Sequence, residues 1–201
     1  MRVIMDAYGR GGLCRATGFT RKDGIRMRVN AETERLIIRN LGPGDEDAVF
    51  AWAGDEDVAR FMPYPTYRSA ADGIEWLQNR EQAADDPDDC DLGFVLKETG
   101  ELIGSGGLTY CAEEDVWKIG YNLRKDMWGK GYAVEAMRAI MDEIRKTRTI
   151  RVIEGQFAVE NFKSRRVMEK LGMSFYRDSE YGKFDGSARF QAKIYRKTFD
   201  E

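Results

Sequence analysis

A short glycine turn that leads directly into a strongly one-sided helix is the feature that most restricts how this chain can fold. The turn, residues 128–133, has the sequence Trp-Gly-Lys-Gly-Tyr-Ala, and the strand-like run Val116 to Leu123 precedes it. From Tyr132 to Lys146 apolar side chains recur at helical spacing along one face. These side chains are Ala133, Met137, Ile140, Met141 and Ile144. A strand, a tight turn and an amphipathic helix in succession predict a helix that packs on a sheet.

The rest of the chain predicts the same alternation of strands and helices. The predicted strands are residues 36–38, 92–96, 102–110, 116–123, 151–158, 174–181 and 188–197. The predicted helices are residues 44–53 and 55–61, one that opens at the capping box of residues 69–72, and residues 132–146 and 161–171. The turn Thr99-Gly100 predicts a hairpin, Asp85 to Asp91 predicts an acidic loop, and Asn161 predicts a helix cap. The sequence therefore indicates a mixed α/β fold.

The first 31 residues differ from the rest of the chain. They are rich in glycine and arginine and show no sustained period, which predicts a loose N-terminal arm, residues 1–31, before a domain at residues 32–201. Met27 is an alternative start. The other interpretation of the arm is an ordered strand that packs on the domain or on a neighbouring subunit.

The composition excludes several classes of function. The chain of 201 residues contains no histidine, which removes Ser-His-Asp and Cys-His nucleophiles and imidazole-based zinc sites. Its formal net charge of −3 argues against nucleic acid as the main partner, because phosphate backbones require a basic surface. Cys14, Cys90 and Cys111 are scattered without metal-binding spacing, which indicates reduced thiols. We expect no metal ion.

No segment predicts a membrane span or an exported protein. No apolar run approaches the length of about 18 residues that a membrane helix needs. Residues 1–30 lack the apolar core of a signal peptide. We therefore expect a cytoplasmic protein.

The glycine turn predicts a site for a pyrophosphate. Small residues let the backbone approach a ligand closely, and the N-terminus of a helix presents unpaired N–H groups with a partial positive charge. A Walker loop does not fit, because Gly131 follows Lys130 where Ser or Thr is required, and Val134 breaks the dinucleotide fingerprint. The structural alternative is an ordinary strand-to-helix turn.

The turn also resembles the acetyl-CoA motif of the GNAT acetyltransferases, Q/R-x-x-G-x-G/A. Gly131 and Ala133 match the two small positions, while Trp128 replaces Gln or Arg, as in the W-G-x-G-Y-A pattern of the RimJ/RimL-type branch. The preceding residues 119–123 resemble the fourth strand of that branch. A later run resembles its N-x-x-S-x-x-V-x-E-K-L-G pattern, and its matching residues are Asn161, Ser164, Val167, Glu169, Lys170, Leu171 and Gly172. With the opening Arg35 to Arg39, the resemblance extends over about residues 32–198.

The resemblance implies a GNAT-like α/β domain whose central, mostly antiparallel sheet has six or seven strands flanked by helices. It implies attack of a primary amine on acetyl-CoA without an acyl-enzyme. The implied cofactor-binding residues are Tyr121, Asn122, Leu123, Trp128, Gly129, Lys130, Gly131, Tyr132, Ala133, Asn161 and Ser164. Ser164 is also the implied proton donor near the sulfur, because Met168 occupies the position where many relatives have a tyrosine. Its other interpretation is a residue that supports the helix cap.

The acceptor and the base are less well defined by the sequence. Glu154, on the strand before Asn161, is the candidate base, and an exposed strand carboxylate is the alternative. Acidic clusters at residues 85–91 and 113–115 favour a cationic acceptor, such as a peptide or protein N-terminus, that an acidic mouth would attract. The other interpretation of these clusters is solvated loop charges that keep the protein soluble. The alternatives are acetylation of a small-molecule amine, a non-catalytic CoA-binding sensor, and a dimerisation module. We expect a monomer or a homodimer.

Overall fold

The computed structural model describes residues 31–86 and 88–199, which form one sheet with helices on both faces. Eight strands occur in this order: β1 (Ala31–Glu32), β2 (Leu36–Asn40), β3 (Asp89–Leu96), β4 (Leu102–Cys111), β5 (Val116–Leu123), β6 (Val152–Ala158), β7 (Ser174–Gly182) and β8 (Arg189–Thr198). The helices are α1 (Glu46–Ala53), α2 (Glu56–Ala59), α3 (Ile74–Gln82), α4 (Tyr132–Arg145) and α5 (Phe162–Lys170). The predicted arm lies outside the described residues except for Ala31.

The sheet has the order β1-β2-β3-β4-β5-β6-β8-β7. Every neighbouring pair is antiparallel except β5 and β6, which are parallel. The predicted mixed, mostly antiparallel sheet is confirmed. The additional eighth strand is β1, whose two residues pair with Ile37 and Ile38 and are too short to show a period in the sequence.

The sheet separates two hydrophobic cores. On one face, α4 and α5 pack on the sheet through side chains that include Met137, Ile140 and Met168. On the other face, α1 and α3 bury a smaller cluster around Trp52 and Leu77. The apolar stripe predicted for α4 is confirmed, since all five of its side chains are buried.

The acidic segment before β3 is shorter than the sequence analysis predicted. The strand begins at Asp89 rather than Leu92, so that Asp89 and Asp91 are strand residues and not loop residues. The reason is the alternation of the strand, which directs Cys90, Leu92, Phe94 and Leu96 into the α4 core. Asp89 and Asp91 therefore project from the opposite face.

Among the described residues, no helix combines the length and the apolar character that crossing a membrane requires.

Candidate active site

The sheet opens along the boundary between β5 and β6. Among the described residues, the ladder between these strands has two register pairs, Trp117 with Ile153 and Lys118 with Glu154. Beyond them, residues 120–123 of β5 and residues 156–157 of β6 line the same cleft. The backbone of residues 121–123, predicted to contact the pantetheine, therefore lies where a ligand can reach it.

The glycine turn forms one wall of this cleft. Gly129 and Gly131 both have left-handed backbone conformations, with φ of 79° and 87°. Gly131 is the N-cap of α4, and no side chain from residues 31–86 or 88–199 caps the first N–H groups of this helix. A β-carbon built on Gly129 would have no atom within 4 Å. The turn is therefore open to the cleft and leaves its N–H groups available to an anion.

Arg35 braces the turn from the connection between β1 and β2. Its Nη1 donates to the carbonyl oxygen of Lys130 at 3.1 Å, and its Nε donates to Oε2 of Glu135 at 2.7 Å. Its guanidinium lies 4.3 Å from the centre of the Tyr132 ring. These contacts hold the backbone of the turn in place, and Arg35 itself does not line the cleft.

Trp128 joins the turn to the end of β5. Its Nε1 donates to the carbonyl oxygen of Leu123 at 3.0 Å. The Nζ of Lys163, on α5, lies 3.6 Å from the centre of its ring. Trp128 lines the cleft, whereas the side chain of Lys130 does not and lies with its Nζ near Met127.

The start of α5 confirms the predicted cap. Oδ1 of Asn161 accepts the backbone N–H of Ser164 at 3.1 Å. Oγ of Ser164 lies 2.9 Å from the hydroxyl oxygen of Tyr121 on β5. Burial raises the pKa of Tyr121, against the opposing effect of its hydrogen bond with Ser164. The phenol therefore keeps its proton at neutral pH, next to the predicted proton donor.

Met168 and Gly155 explain the missing tyrosine. Met168 is 2% exposed. A β-carbon built on Gly155 would lie 2.6 Å from its Cε, so that the glycine in β6 leaves the space that the methionine fills. The position where relatives have a tyrosine is a packed part of the core here.

One end of the cleft is basic, which the sequence analysis missed. Lys163, Arg166 and Lys170 of α5 line it, whereas Lys125, before the glycine turn, is paired with Asp57 at 2.5 Å. Residues at positions i, i+3 and i+7 share one face of a helix, so the basic face of α5 could have been predicted from the sequence.

The other end of the cleft is acidic. Four aspartates from the start of β3 and the turn before it line this end, and they are Asp86, Asp88, Asp89 and Asp91. Nη1 of Arg80 lies 3.0 Å from Oδ2 of Asp89, and Nη2 of Arg148 lies 3.1 Å from Oδ1 of Asp88. Of the two predicted acidic clusters, residues 85–91 therefore contribute to the cleft. Residues 113–115 do not line it.

Asp91 is the most perturbed carboxylate of this end. Burial raises its pKa to about 6, and the charge of Asp89 adds to this effect. The charge of Arg80 and a hydrogen bond with Ser105 oppose it. The side chain is ionised at neutral pH but can take up a proton near physiological pH.

A loop of aromatic residues covers the acidic end. Phe61, Met62, Tyr64 and Tyr67 line the cleft from the segment between α2 and α3. The hairpin of β7 and β8 holds this segment, because Nζ of Lys183 donates to the carbonyl oxygens of Ala59 at 2.7 Å and Tyr64 at 3.1 Å. The hydroxyl of Tyr181 donates to the carbonyl oxygen of Phe61 at 2.7 Å.

Glu154, the predicted base, lies apart from the other site residues. The residue is buried, with 3% of its surface exposed, whereas the alternative interpretation expected an exposed carboxylate. Nε of Arg196 donates to its Oε1 at 2.9 Å. It does not line the cleft. A catalytic role for Glu154 stays a prediction. The contact of Glu154 with Arg196 joins the neighbouring strands β6 and β8.

Comparisons with known proteins agree with this geometry. Residues 35–174 match the family described as Acetyltransferase (GNAT) domain. The uncharacterized N-acetyltransferase p20 of Bacillus licheniformis is 26% identical over 140 residues, which are 69% of this chain and 79% of that protein.

Two solved structures share the fold. The ribosomal-protein-S5-alanine acetyltransferase from Vibrio fischeri aligns with a TM-score of 0.71 and 17% identity, over 86% of this chain and 98% of that one. The microcin C7 self-immunity acetyltransferase MccE, in complex with acetyl-CoA and AMP, aligns with a TM-score of 0.68 and 16% identity, over 83% and 94%. Since the family match extends over most of the chain and the glycine turn matches the family's motif, the protein belongs to the RimJ/RimL-type GNAT acetyltransferases and is an acetyl-CoA-dependent N-acetyltransferase.

Proposed function

We propose that the protein acetylates a cationic primary amine, with the α-amine of a peptide or protein as the leading acceptor. The observation that carries this proposal is the charge separation of the cleft, which is basic beside the glycine turn and acidic at the aromatic loop. A cleft of this kind places an anionic donor and a cationic acceptor at opposite ends.

The basic end suits the phosphates of coenzyme A. Among the described residues, no side chain caps the N–H groups at the start of α4, and Lys163 of the basic face of α5 lies against the ring of Trp128 in the glycine turn. Asn161, the cap of α5, and the backbone of residues 121–123 are then the groups for the pantetheine. When bound, acetyl-CoA supplies an activated thioester, and the chain supplies its position and its proton transfers.

The hydroxyl pair of Ser164 and Tyr121 is the proposed proton donor for the departing sulfur. Burial of Tyr121 keeps its phenol protonated, and Ser164, in the N-terminal turn of α5, lies within hydrogen-bond distance of this phenol. A thiol has a pKa of about 8.5, so its thiolate leaves readily and needs only modest assistance. Direct transfer without an acyl-enzyme requires no other nucleophile from the chain.

An α-amine is favoured over a lysine side chain by its protonation state. Its pKa of about 7.7–8.0 makes roughly a tenth of it neutral at pH 7, whereas a lysine amine with a pKa of about 10.4 is almost fully charged. A small-molecule amine of similar pKa fits the same chemistry. The aromatic loop is long enough to contact more of an acceptor than its amine.

The experiment that tests this proposal is an amine panel. Thiol release from acetyl-CoA is measured with an α-amino peptide, an N-terminally blocked lysine peptide and a small polyamine, each across a salt series. We expect the α-amino peptide to give the highest kcat/KM, and kcat/KM to fall as salt screens the acidic end.

A matched pair of variants separates the cleft from the rest of the surface. Asp88→Asn removes one charge at the acidic end and should weaken the salt dependence. Asp178→Asn removes one charge on β7, where Asp178 pairs with Lys193, and should leave it unchanged. Turnover of neutral and cationic acceptors at equal, salt-independent rates would contradict the proposal, and no turnover with any amine would favour a CoA-binding sensor.

A further inference from the structure

Beneath the acidic end of the cleft, several buried polar atoms have no hydrogen-bond partner among the described residues. Four of them can accept a hydrogen bond, namely Oδ1 of Asp91, Oδ1 of Asn122, Oε1 of Gln156 and the hydroxyl of Tyr64, and a fifth, Nε of Arg80, is a donor. The residues of the four acceptors come from β3, β5, β6 and the aromatic loop, and all four line the cleft. Buried polar atoms in folded proteins are almost always paired with protein or with ordered water, so several without protein partners mark a place for bound water or for a polar ligand group.

These four atoms share one chemical property, which is that each can accept a hydrogen bond. The amide orientations follow from their other contacts. Nδ2 of Asn122 donates to Oγ of Ser105 at 3.3 Å, and Nε2 of Gln156 donates to Oγ of Ser179 at 2.8 Å. The carbonyl oxygens of both amides are therefore the atoms left without partners. The four acceptor atoms are complementary to a group with several donors, and a primary ammonium, with three N–H donors, is such a group.

Ser105 connects the carboxylate to the amide. It is fully buried on β4, and it accepts from Asn122 and bonds with Asp91. Asp91 also contributes to the electrostatic environment of Tyr64. The side chains of Asp91, Asn122 and Tyr64 therefore belong to one local cluster rather than to distant parts of the cleft.

We propose that this cluster is the subsite for the acceptor's ammonium group, and that Asp91, rather than Glu154, pairs with it and takes its proton. The inference rests on the proposed function for the identity of the reaction. The first proton passes from the ammonium nitrogen to Asp91 and then to solvent. The nitrogen lone pair forms the bond to the acetyl carbonyl carbon, the carbon–sulfur bond breaks, and the second nitrogen proton ends on the thiol sulfur.

The charges around Asp91 agree with this role. Arg80 approaches from α3 and its charge is shared with Asp89, while Asp86 lies in the preceding turn. Ser105 and Asn122 face the group from β4 and β5, and Tyr64 faces it from the loop. A carboxylic acid with a pKa of about 6 is close to the operating pH, where a general base is most effective.

The test is the pH dependence of kcat/KM with two acceptors of different amine pKa. For the parent protein, the acid limb should lie near pH 6 with both acceptors, because Asp91 sets it. For Asp91→Asn, kcat/KM at pH 7 should fall about a hundredfold. Its profile should rise about tenfold per pH unit up to the pKa of each amine, because only the neutral amine then reacts.

Two further measurements make the outcome decisive. Asp178→Asn, which removes a charge that pairs with Lys193 and does not line the cleft, should keep the acid limb near pH 6. Calorimetry in the presence of CoA should show that methylammonium binds more tightly to the parent protein than to Asp91→Asn, with a smaller difference for tetramethylammonium, which has no N–H donor. A folded Asp91→Asn variant with an unchanged limb and unchanged methylammonium affinity would overturn the inference. A panel without any turnover would instead contradict the proposed function, and the methylammonium measurement would still test the subsite.

Discussion

At the residue scale, Tyr121 and Ser164 approach each other from a strand and a helix. From the sequence, Ser164 was the implied proton donor, and in the structure its Oγ lies 2.9 Å from the hydroxyl oxygen of Tyr121 on β5. For Tyr121, the sequence predicted a role for the backbone and none for the hydroxyl group. The distance between β5 and α5 cannot be read from either segment separately, so the hydroxyl pair required the structure.

Removing either hydroxyl of this pair should slow the chemical step. We expect Ser164→Ala and Tyr121→Phe each to lower kcat about tenfold, near the lower end for a proton donor because a thiolate leaves readily. The KM for acetyl-CoA should change little. The double variant should lose little more than one single variant, because the two oxygen atoms, 2.9 Å apart, act as a unit.

Steady-state kinetics at saturating acetyl-CoA checks this prediction. Ser174→Ala, at an exposed position where β7 begins, is the control and should keep the parent kcat. Unchanged turnover in Ser164→Ala would leave water as the donor and would return Ser164 to its place in the helix cap.

The sequence around Asp91 contains a strand signal that the prediction of an acidic loop did not use. The alternation of Cys90, Leu92, Phe94 and Leu96 with polar or small residues is a strand signal, and it places Asp91 on the face opposite the α4 core. The run of aspartates instead suggested a loop. Its raised pKa and its lack of a partner for Oδ1 depend on residues of β4, α3 and the aromatic loop, which no local pattern brings together.

At the scale of elements, the strand, glycine turn and helix from Val116 to Arg145 were predicted with nearly the observed bounds. The local signals agree there, because the apolar period, the glycines and the strand residues all indicate the same structure. Arg35, which braces the turn from about 95 residues earlier in the chain, was recognised by resemblance but not as a brace.

A side chain at the N-cap of α4 should disrupt the anion site. We expect Gly131→Val to weaken acetyl-CoA binding by more than tenfold, because a β-branched residue at a φ of 87° is strained and its β-carbon would lie 3.6 Å from Nη2 of Arg35, which braces the turn. Calorimetry with acetyl-CoA measures the effect. Gly100→Val is the matched control, since Gly100 has a φ of 73° in the turn between β3 and β4 and does not line the cleft.

The control separates strain from function. Both variants should lower the melting temperature by similar amounts, but Gly100→Val should bind acetyl-CoA like the parent protein. Equal binding by the two variants would show that the glycine turn is only a connection between strand and helix.

At the scale of the whole molecule, the fold and its family were predictable because the glycine turn and the motif of α5 occur in the expected order. The distribution of charge was predictable in part. The acidic segment at residues 85–91 was recognised, whereas the basic face of α5 and the distance of residues 113–115 from the cleft depend on how the helices pack.

The acidic end should also affect stability. Because the pKa of Asp91 is raised above its ordinary value, ionising it in the folded state lowers the free energy of unfolding as the pH rises through about 4 to 6. Asp91→Asn removes this penalty. We expect the variant to be more stable than the parent protein by about 1–3 kcal/mol at pH 8, with a smaller difference at pH 5, where Asp91 is mostly protonated.

Urea unfolding at the two pH values checks this prediction, and Asp178→Asn, an exposed carboxylate paired with Lys193, is the control that should show no comparable gain. A variant less stable than the parent protein at pH 8 would mean that the ionised Asp91 stabilises the fold.

The short ladder between β5 and β6 divides the sheet into two parts, β1–β5 and β6–β8. In the part of the chain that the structure describes, two register pairs join them. A ligand that fills the opening would contact both parts at once. Because such a ligand binds the folded state alone, its binding free energy also stabilises the association of the two parts of the sheet. In a cell, the supply of the acetyl donor would accordingly influence how long the folded enzyme persists, as well as how fast it works.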